Sequence, residues 1–485
     1  MRGNIVIIIR FLFIILLLIF TVTGSAKTAL NPLDFGLNTA KSAADSYNIL
    51  YTCHQEAKRI GANVTYQGID TIYLDIPAGA RSIPLTKNVD FAGVVLIVNN
   101  ESTDHWLFDM LNSSKPSTIG LDDIERGKLK DVKNGLLIIK DEELWVKERK
   151  GYGIGHTRMD LLYVQDGIIK NNTIYPYNTP NSRPKVDFCE VDNCEKKISN
   201  ITIVRTKNSS FRTFCFRILN QNNICLNNIT IKTPESNLYG DTSIKIDNCA
   251  NVILNHINID GTYSQLNKHG YGISLNNVWN VICRNIDAYG KWGVFGTNNV
   301  NKIVLDNCNI NRFDIHCYGR DVIAQNCNFV NLYNQFSGIY GFIKFKKCTF
   351  ANCIPLLIES SYNAYTPFEL EWKDCIFNLS AKKNYLLTLF GVPEVYNERP
   401  ELRRKCLPNI LARNCKVILD EDVNKWYLIH TGGVKYKDSF DYMTNVTLKN
   451  VKVEGNRNAE FVLSTEELST TIPLIKTIDL RIKTR

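Results

Sequence analysis

Several features of common protein classes are missing from this 485-residue chain. No run of five like charges occurs among its 57 Lys+Arg and 48 Asp+Glu residues, which disfavours a nucleic-acid-binding tail. It has neither a CxxC pair nor the Cys/His spacing of a zinc site. Beyond the N-terminal segment, no apolar stretch is long enough to span a membrane. The 44% hydrophobic and 22% charged residues are typical of a folded globular protein.

The N-terminal segment, residues 1–26, has the pattern of a secretory signal peptide. A positively charged start precedes an apolar core from Phe11 to Val22, and small residues up to Ala26 offer a cleavage site. We therefore expect a mature chain that begins near Lys27 and is secreted or periplasmic, with no membrane partner after cleavage. An uncleaved membrane anchor is the alternative, because further apolar residues precede the core.

The fifteen cysteines would first suggest disulfides in an exported protein. Six of them, however, occupy one kind of position: each follows Asn, Lys or Asp, and Ile or Val stands in the same position elsewhere in the chain. These six are Cys249, Cys308, Cys327, Cys348, Cys375 and Cys415. A position that alternates Cys with Ile and Val is an apolar core position, so we expect buried thiols there instead of disulfides.

Asparagine recurs with a period. Of the 54 asparagines in the chain, 27 lie between positions 200 and 334. The residue before each Cys/Ile position serves as a first marker and recurs at intervals of 28, 28, 29, 22, 19, 21 and 27 residues. The first markers are Asn200, Asn228, His256, Asn285, Asn307, Asn326, Lys347 and Asp374. A second marker precedes the first by eight residues in three successive units, at Asn248, Asn277 and Asn299.

Short period-two strands between these markers predict a coil that stacks on itself. Strands that repeat every ~20 to 30 residues without helical segments between them cannot form βαβ units. In a parallel β-helix, each turn is covered by its neighbours, and corner asparagines hydrogen-bond along the stack. The repeat lacks the units of about 40 residues that a propeller needs and the Asn-Gly turns of a sandwich. The predicted fold class is therefore all-β, a single-stranded parallel β-helix.

The N-terminal part is predicted to cap this coil. Residues 38–61 have apolar residues at helical spacing and precede two predicted strands, Thr71 to Ile76 and Val94 to Val98. A helix at the open end of a coil would cover an exposed sheet edge.

The chain is thus expected to comprise four segments after the signal peptide. Residues 27–110 hold the N-terminal cap and first strands, residues 196–460 the β-helix, and residues 461–485 a C-terminal cap. Residues 111–195 are either an elaboration of the early coils or a small inserted unit.

The order of these elements resembles a known superfamily. A helix, a strand with Ile76-Pro77-Ala78-Gly79 and then Asn-marked coils are similar to the secreted right-handed β-helix proteins of the pectin-lyase-like superfamily, over most of residues 35–460. Four motifs more narrowly resemble Bacteroides-type carbohydrate-active β-helix proteins: Gly240-Asp241, Gly261-Thr262-Tyr263-Ser264, Asn276-Asn277-Val278-Trp279-Asn280 and Asn311-Arg312-Phe313-Asp314-Ile315-His316. The active-site signatures of polygalacturonases and of calcium-dependent pectate lyases are missing, so the resemblance implies a fold without naming a substrate.

Titratable residues are densest in segment 312–320, which alternates polar and apolar residues. In a strand, its odd positions would face the core and its even positions would project outward. The predicted outward row comprises Arg312, Asp314, His316, Tyr318 and, if the strand continues, Arg320. Residues two positions apart along a strand lie about 6.6 Å apart, so that Asp314 could orient His316. A solvated outer face with mixed charges is the alternative.

Turns of the preceding coils are expected beside this row. Residues 289–293 correspond to the turn one coil earlier, and residues 260–272 to the turn two coils earlier. They supply Lys291, Trp292, Tyr263, Lys268, His269 and Tyr271 as candidate glycan-contacting residues. Aromatic rings stack on sugars, and cations hold carboxylates or sulfates. Any single aromatic residue among them could pack between loops instead.

These residues favour a polysaccharide lyase. Cleavage of a uronate by β-elimination needs a cation, a base and an acid. Arg312 is the candidate for the cation, His316 oriented by Asp314 for the base, and Tyr271 or Tyr318 for the acid. We therefore expect a secreted enzyme that cleaves an acidic, uronic-acid-containing glycan.

Two alternatives stay open. A glycoside hydrolase needs two carboxylates about 5 to 9.5 Å apart, for which Asp314 with Asp260 or Asp241 is available. A non-catalytic glycan-binding protein could use the same surface. The sequence assigns no metal ligand and requires no cofactor, although calcium is left open. The expected partner is an acidic polysaccharide or oligosaccharide, without nucleic acid; the particular glycan and the oligomeric state are not indicated.

Overall fold

A computed structural model describes most of the chain. The described residues are 29–101, 105–112, 114–120, 134–146, 156–171, 184–206, 213–233, 242–261, 271–288, 293–330, 333–359, 368–390, 408–430, 445–465 and 475–482. Helix α1 spans Ala43–Ile60 and follows two short 3-10 helices, Pro32–Phe35 and Leu37–Thr39.

The strands form three successive groups. The first is β1 Ala29–Leu30, β2 Asn63–Thr65, β3 Thr71–Ile76, β4 Ile83–Pro84, β5 Val89–Glu101 and β6 His105–Leu111. The second is β7 Ser117–Thr118, β8 Asn134–Val146, β9 His156–Gln165, β10 Ile168–Ile169 and β11 Pro184–Glu190. The third is β12 Lys196–Arg205, β13 Thr213–Leu219, β14 Asn222–Thr233, β15 Ile244–Gly261, β16 Tyr271–Ala288, β17 Gly293–Asp306, β18 Asn309–Ile310, β19 Phe313–Gln325, β20 Asn328–Val330, β21 Tyr333–Phe336, β22 Ile339–Lys346, β23 Thr349–Ala351, β24 Ile354–Glu359, β25 Phe368–Lys373, β26 Ile376–Leu379, β27 Tyr385–Phe390, β28 Asn409–Arg413, β29 Lys416–Leu419, β30 Lys425–His430, β31 Asn445–Gly455, β32 Glu460–Ser464 and β33 Ile475–Ile482.

Helix α1 forms where the sequence predicts a cap. The Ser42 hydroxyl accepts a hydrogen bond from the Asp45 amide at its start, and Gly61, at φ 67°, ends it. Its apolar side, including Leu50 and Ala57, belongs to the main core and packs against β3 and β4. The predicted N-terminal helix is confirmed, and β3 has the predicted bounds.

The first and third groups of strands build a right-handed parallel β-helix. Within the described residues, these 28 strands pair in parallel. Residues of successive coils stack in columns; one column, Ile244, Ile273, Phe295 and Phe313, is fully buried in the core. The predicted single-stranded parallel β-helix is confirmed.

Asparagines in the left-handed backbone region make the corners of each coil. Strand β16 bends at Asn277, Asn280 and Asn285, whose φ angles are 52°, 60° and 54°. Asn enters this region more readily than most residues. Its amide also joins coils: Asn277 Nδ2 donates to Asn248 Oδ1 at 2.9 Å, and Asn299 Nδ2 donates to Asn277 Oδ1 at 2.9 Å. All eight first markers have φ between 51° and 63°, so the predicted corner exists.

A column of free thiols runs behind the first-marker corner. It consists of Cys308, Cys327, Cys348, Cys375 and Cys415, all buried, and each of these thiols donates a hydrogen bond to a backbone carbonyl oxygen. The thirteen cysteines whose side chains the structure describes are free, and the six predicted buried thiols are among them and buried. Cys249 is buried as well but lies behind the second marker, in register with Val278.

The second group of strands is an antiparallel sheet, in the order β10-β9-β8-β11-β7. It packs on the outside of the coils: the Tyr163 ring stacks on Trp279 at 4.3 Å, and Asn301 Nδ2 donates to the Leu161 carbonyl at 2.8 Å. Strands β9 and β10 form a hairpin through Asp166-Gly167, both with positive φ. For residues 111–195 the sequence predicts either an elaboration of the early coils or a small inserted unit. The structure has an antiparallel sheet there, added to the outside of the coils.

The predicted signal peptide, residues 1–26, lies outside the described residues. No helix within the described ranges combines the length and the apolar character needed to cross a membrane. The expected boundaries at residues 110, 195 and 460 stay predictions.

Candidate active site

The polar residue Asp314 lies in an outward-facing column of the β-helix. Its strand neighbours Phe313 and Ile315 face the core, as the alternation predicts. Register pairing places Asp314 beside Gly296 on one side and Gln335 on the other. This outward column includes Asp109, Arg217, Lys245, Ser274, Gly296, Asp314 and Gln335, and it continues through Leu357 and Thr388 to His430.

Tyr271, Asp314 and His316 meet at this surface. The Tyr271 hydroxyl lies 2.8 Å from Asp314 Oδ2 and 2.8 Å from His316 Nε2. His316 Nε2 is 3.3 Å from the same carboxylate oxygen. The three contacts join the phenol to the carboxylate, the phenol to the imidazole and the imidazole to the carboxylate. Because the phenol and the imidazole are in direct contact and each can donate or accept a hydrogen bond, a proton can pass between them. The His316 side chain is 21% exposed, which leaves this proton-sharing group open to a ligand.

Arg312 forms a bidentate ion pair with the Asp314 carboxylate. Its Nε donates to Asp314 Oδ1 at 2.8 Å, and its Nη2 lies 2.5 Å from Oδ2. Nη2 also donates to Gln335 Oε1 at 3.3 Å, and the guanidinium lies 4.3 Å from the centre of the Tyr333 ring. Burial acts to lower the pKa of Arg312, but the adjacent Asp314 carboxylate outweighs it, so that the pKa is raised.

This burial changes the role of Arg312. The side chains of Arg312 and Asp314 are 3% and 0% exposed. The sequence predicts that Arg312 projects outward with Asp314 and neutralises a sugar carboxylate. Arg312 does lie beside Asp314, but its burial contradicts the exposure that contact with a sugar would need. The guanidinium instead fixes the orientation of Asp314, which in turn contacts His316.

Two glycines let the Tyr271 ring reach across the coils. A Cβ atom at Gly296 would lie 2.3 Å from Tyr271 Cδ2. A Cβ atom at Gly293 would lie 3.1 Å from Arg312 Cδ and 3.2 Å from Tyr271 Cε1. Neither glycine was among the residues predicted for the site. Glycine inside a strand pattern is a signal for close approach of another group and could have found them.

The backbone around Asp314 is held on both sides. Thr297 Oγ1 donates to the Asp314 carbonyl at 3.0 Å. The Phe313 amide donates to Asn334 Oδ1 at 3.2 Å, and Asn334 Nδ2 donates to the Pro355 carbonyl at 3.0 Å. These buried hydrogen bonds fix the strand that carries the candidate site, as a pre-organised site requires.

Tyr318 does not belong to this group, although the sequence places it there. It has φ 59° and occupies the corner column of Asn299, where the strand turns and the alternation stops. Its side chain is 4% exposed and packs against the added sheet, at Val164 and Phe188. Its predicted place in the outward row is therefore wrong, and its role as an acid stays a prediction.

Arg320 also lies beyond that corner. It pairs in register with Asn301 and lies 3.7 Å from Asp321 Oδ2. The expected row is therefore broken after His316, and Arg320 faces another side of the coil than Asp314.

The other candidate residues are only partly described. Tyr263, Lys268, His269, Lys291 and Trp292 lie outside the described residues, and so does Asp241. The contacts expected of these residues stay predictions.

Asp260, the other carboxylate considered for hydrolysis, is described. It is exposed and pairs in register with Lys232, in another column than Asp314. The described residues contain no group of three or more His, Cys, Asp or Glu that could hold a metal ion.

The fold and the site define a parallel β-helix protein with a polar, partly exposed side-chain cluster on its outer face. No protein-family model matches the chain, and no curated protein is similar to it in sequence. Its fold is similar to that of the tailspike protein gp49 from Pseudomonas phage LKA1, with a TM-score of 0.58 and 13% identity over 94% of this chain and 81% of the tailspike.

A second tailspike shares the fold. The gp54 tailspike of Acinetobacter baumannii bacteriophage AP22, solved with a capsular saccharide of A. baumannii, has a TM-score of 0.50 and 11% identity, over 90% of this chain and 77% of that protein. Identities this low show a common fold alone. The resemblance to Bacteroides-type proteins stays a prediction.

Proposed function

We propose that this protein is a polysaccharide lyase that cleaves an acidic glycan by β-elimination. The observation that carries the proposal is the position of the Tyr271 hydroxyl, 2.8 Å from both His316 Nε2 and Asp314 Oδ2. An acid and a base in direct contact, next to a fixed carboxylate, are the groups that elimination needs.

The proposed step moves two protons and breaks two bonds of the sugar, the C5–H bond and the bond from C4 to the leaving oxygen. His316 accepts the proton from C5 of the uronate, and the electron pair of that C–H bond forms a double bond between C4 and C5. The bond from C4 to the leaving oxygen breaks, and Tyr271 gives its proton to that oxygen. The imidazolium that forms lies beside the negative charge of Asp314. Return of the proton from His316 to Tyr271 restores the resting state.

The surroundings of Asp314 favour elimination over hydrolysis. Hydrolysis needs one carboxylate as acid and a second as base or nucleophile, about 5 to 9.5 Å apart. Asp314 is fully buried, and both its oxygens are bonded to Arg312. It therefore suits an orienting role better than direct attack on a sugar.

The cation that neutralises the uronate has to come from another residue than Arg312. Lys268 or Lys291, predicted from the sequence only as glycan-contacting residues in the two preceding turns, is proposed to supply it. Either would lower the pKa of the C5 proton by stabilising the charge that develops on the carboxylate.

The shared fold supports a glycan as the ligand. The AP22 tailspike was solved in complex with a saccharide, and its similarity covers 90% of this chain. Because a fold hosts many functions, this supports the class of partner and leaves the chemistry to the site residues.

The experiment is a substrate panel with two readouts. The chain without residues 1–26 is incubated with polygalacturonate, alginate and hyaluronan, and both the ultraviolet absorbance of the unsaturated product and the number of reducing ends are recorded. A lyase raises both signals together. Reducing ends without new absorbance would mean a hydrolase, and binding without either signal would mean a glycan-binding protein; both results contradict the proposal.

A matched variant guards against contaminating activity. His316→Ala, prepared in the same way, is expected to lose the absorbance signal on whichever polymer the wild type cleaves. If the variant cleaves as fast as the wild type, His316 is not the base.

We also propose that the protein is exported, on the basis of the charged start, the apolar core and the small residues before Lys27. N-terminal sequencing of protein from the native host is expected to find a chain that begins near Lys27. Intact Met1 in a membrane fraction would instead identify an anchor.

A further inference from the structure

Four cations stack on successive coils near the C-terminal end of the β-helix. Lys346 pairs in register with Lys373, Lys373 with Arg413, and Arg413 with Lys449. Neighbouring strands lie about 4.8 Å apart, so the column presents one positive charge per coil along the axis. Lys346 and Lys449 are exposed, and Lys373 and Arg413 are half-buried. We call these four residues the cationic column.

The cationic column opposes folding. Like charges at directly paired positions of neighbouring strands are destabilising. Within the described part of the chain, Arg413 forms an ion pair with Glu371, and no acidic partner is recorded for Lys346, Lys373 or Lys449. The three repulsive contacts between successive cations are therefore offset by one carboxylate, that of Glu371. A bound polyanion would supply further negative charge.

A neighbouring stack of cations is compensated by carboxylates to a greater extent. A second stack, Lys416, Lys452 and Arg481, lies around the next corner. There Lys416 Nζ is 2.6 Å from Glu454, and Arg481 Nη2 is 3.5 Å from Asp479. That neighbouring stack carries its own carboxylates, which the cationic column mostly lacks.

The cationic column and the candidate active site face different sides of the β-helix. On β19, the position of the column is taken by Gln325, which pairs with Lys346. Two corners, Tyr318 and Asp321, separate Gln325 from Asp314 on the same coil. A ligand on the column would therefore leave the partly exposed His316 accessible.

We propose that the cationic column binds a linear acidic polysaccharide that lies parallel to the β-helix axis. Charges spaced about 4.8 Å apart on a rigid stack meet the evenly spaced carboxylates or sulfates of such a chain. A duplex nucleic acid presents a phosphate every 3.4 Å per strand, a poorer match to one cation per coil. This surface is a second binding site and stands whether or not the protein is a lyase.

The test compares two variants of equal net charge. The first carries Lys346→Gln, Lys373→Gln and Lys449→Gln; Arg413 is kept because of its pair with Glu371. The control removes three exposed lysines outside the column by Lys41→Gln, Lys87→Gln and Lys197→Gln.

Both triple variants are made in a His316→Ala background, so that turnover does not consume the ligand. Binding of fluorescein-labelled polygalacturonate and of alginate is measured against salt concentration. Loss of the column is expected to weaken binding of one of these polymers roughly ten- to hundredfold at low salt and to flatten its salt dependence. The control is expected to bind like its parent.

A second readout is thermal stability at low salt. The column variant is expected to melt at a higher temperature than its parent, because three repulsive contacts are gone. The polyuronate is expected to raise the melting temperature of the parent and of the control, but not of the column variant.

Three outcomes would overturn the proposal. The parent protein could bind neither polyuronate at low salt, or both triple variants could lose binding equally, which would mean attraction by net charge alone. Tighter binding of single-stranded DNA than of either polyuronate, lost with the column, would identify a nucleic-acid surface instead.

Discussion

The Tyr271 hydroxyl lies 2.8 Å from His316 Nε2, although their strands, β16 and β19, do not pair with each other in the described ladders. Strand β17 runs between them, and Gly296 on that strand leaves room for the ring. The contact therefore depends on a glycine that belongs to neither partner. Three strands of different coils contribute to one proton-sharing group.

The first prediction concerns this contact. His316→Ala and Tyr271→Phe should each lower kcat by roughly 10²- to 10⁴-fold, because each removes a group that transfers a proton. Their melting temperatures should change little. His430→Ala is the control, since His430 lies farther along the same outward column and should keep full activity. Steady-state kinetics on the polymer identified by the substrate panel would check this; full activity in Tyr271→Phe would refute its role as the acid.

The second prediction concerns Gly296. Gly296→Ala places a methyl group where the Tyr271 ring now lies, since the added carbon would come within 2.3 Å of Cδ2. We expect kcat to fall by about as much as in Tyr271→Phe, and the free energy of unfolding to change little. The double variant should be no worse than Tyr271→Phe alone, because both changes disable one group. Additive losses in kinetic measurements would show that Gly296 acts in another way. Ser274→Ala, one coil below, is the control.

The third prediction concerns the buried Arg312–Asp314 pair. Asp314→Ala leaves a buried guanidinium without its carboxylate and should lower the free energy of unfolding by about 3 to 5 kcal/mol. Urea denaturation measures this. The double change Arg312→Met with Asp314→Leu should regain much of that loss, because no buried charge remains. A double variant as unstable as the single one would contradict this account of the pair. Glu56→Ala, in an exposed pair with Arg59, should barely shift the midpoint.

The β-helix was predictable from the sequence because the residues that indicate it lie close together in the chain and recur in every coil. A left-handed corner favours Asn, and Asn recurs at nearly every corner, so the period of the coil is visible in the sequence. The buried thiols followed from the same period. The added sheet, β7–β11, contributes a single antiparallel unit without a repeat, and its packing on Trp279 depends on contacts between residues more than 100 positions apart.

The error at Tyr318 has a physical cause. Alternation between faces holds within a strand but stops at a left-handed corner, and a tyrosine is a rare occupant of that region. The spacing of the markers predicts the corner at Tyr318. The first marker advances by 19 residues from Asn307 to Asn326, and the residue 19 positions after the second marker Asn299 is Tyr318. The burial of Arg312 had no such signal, because it depends on Tyr333 and Gln335 one coil later.

The fourth prediction concerns Asn277, which hydrogen-bonds to the coils on both sides from φ 52°. Asn277→Ala loses two hydrogen bonds of ~1 kcal/mol each and adds about 1 to 2 kcal/mol of backbone strain. Asn277→Gly loses the same bonds without that strain and should be the more stable variant in urea. Equal stability of the two variants would mean that the corner conformation costs nothing. Asn309→Ala, in an ordinary strand, is the control.

The last prediction concerns His54, which is buried under the cap. Its Nε2 lies 2.8 Å from the Tyr66 hydroxyl and its Nδ1 lies 3.2 Å from the Pro84 carbonyl. Burial lowers the pKa of His54 from 6.5 to about 4, against a smaller opposite effect of the Pro84 hydrogen bond. Because the unfolded chain takes up this proton first, stability should fall as the pH drops from about 6.5 to 4.

The loss over that window should be on the order of 3 kcal/mol, since one pKa unit corresponds to about 1.4 kcal/mol. Urea unfolding at several pH values measures it. His54→Gln is expected to lower stability at neutral pH but to remove this part of the pH dependence, because glutamine does not titrate. If the free energy of unfolding of His54→Gln falls with pH as steeply as that of the wild type, carboxylates elsewhere, and not this imidazole, cause the loss of stability in acid.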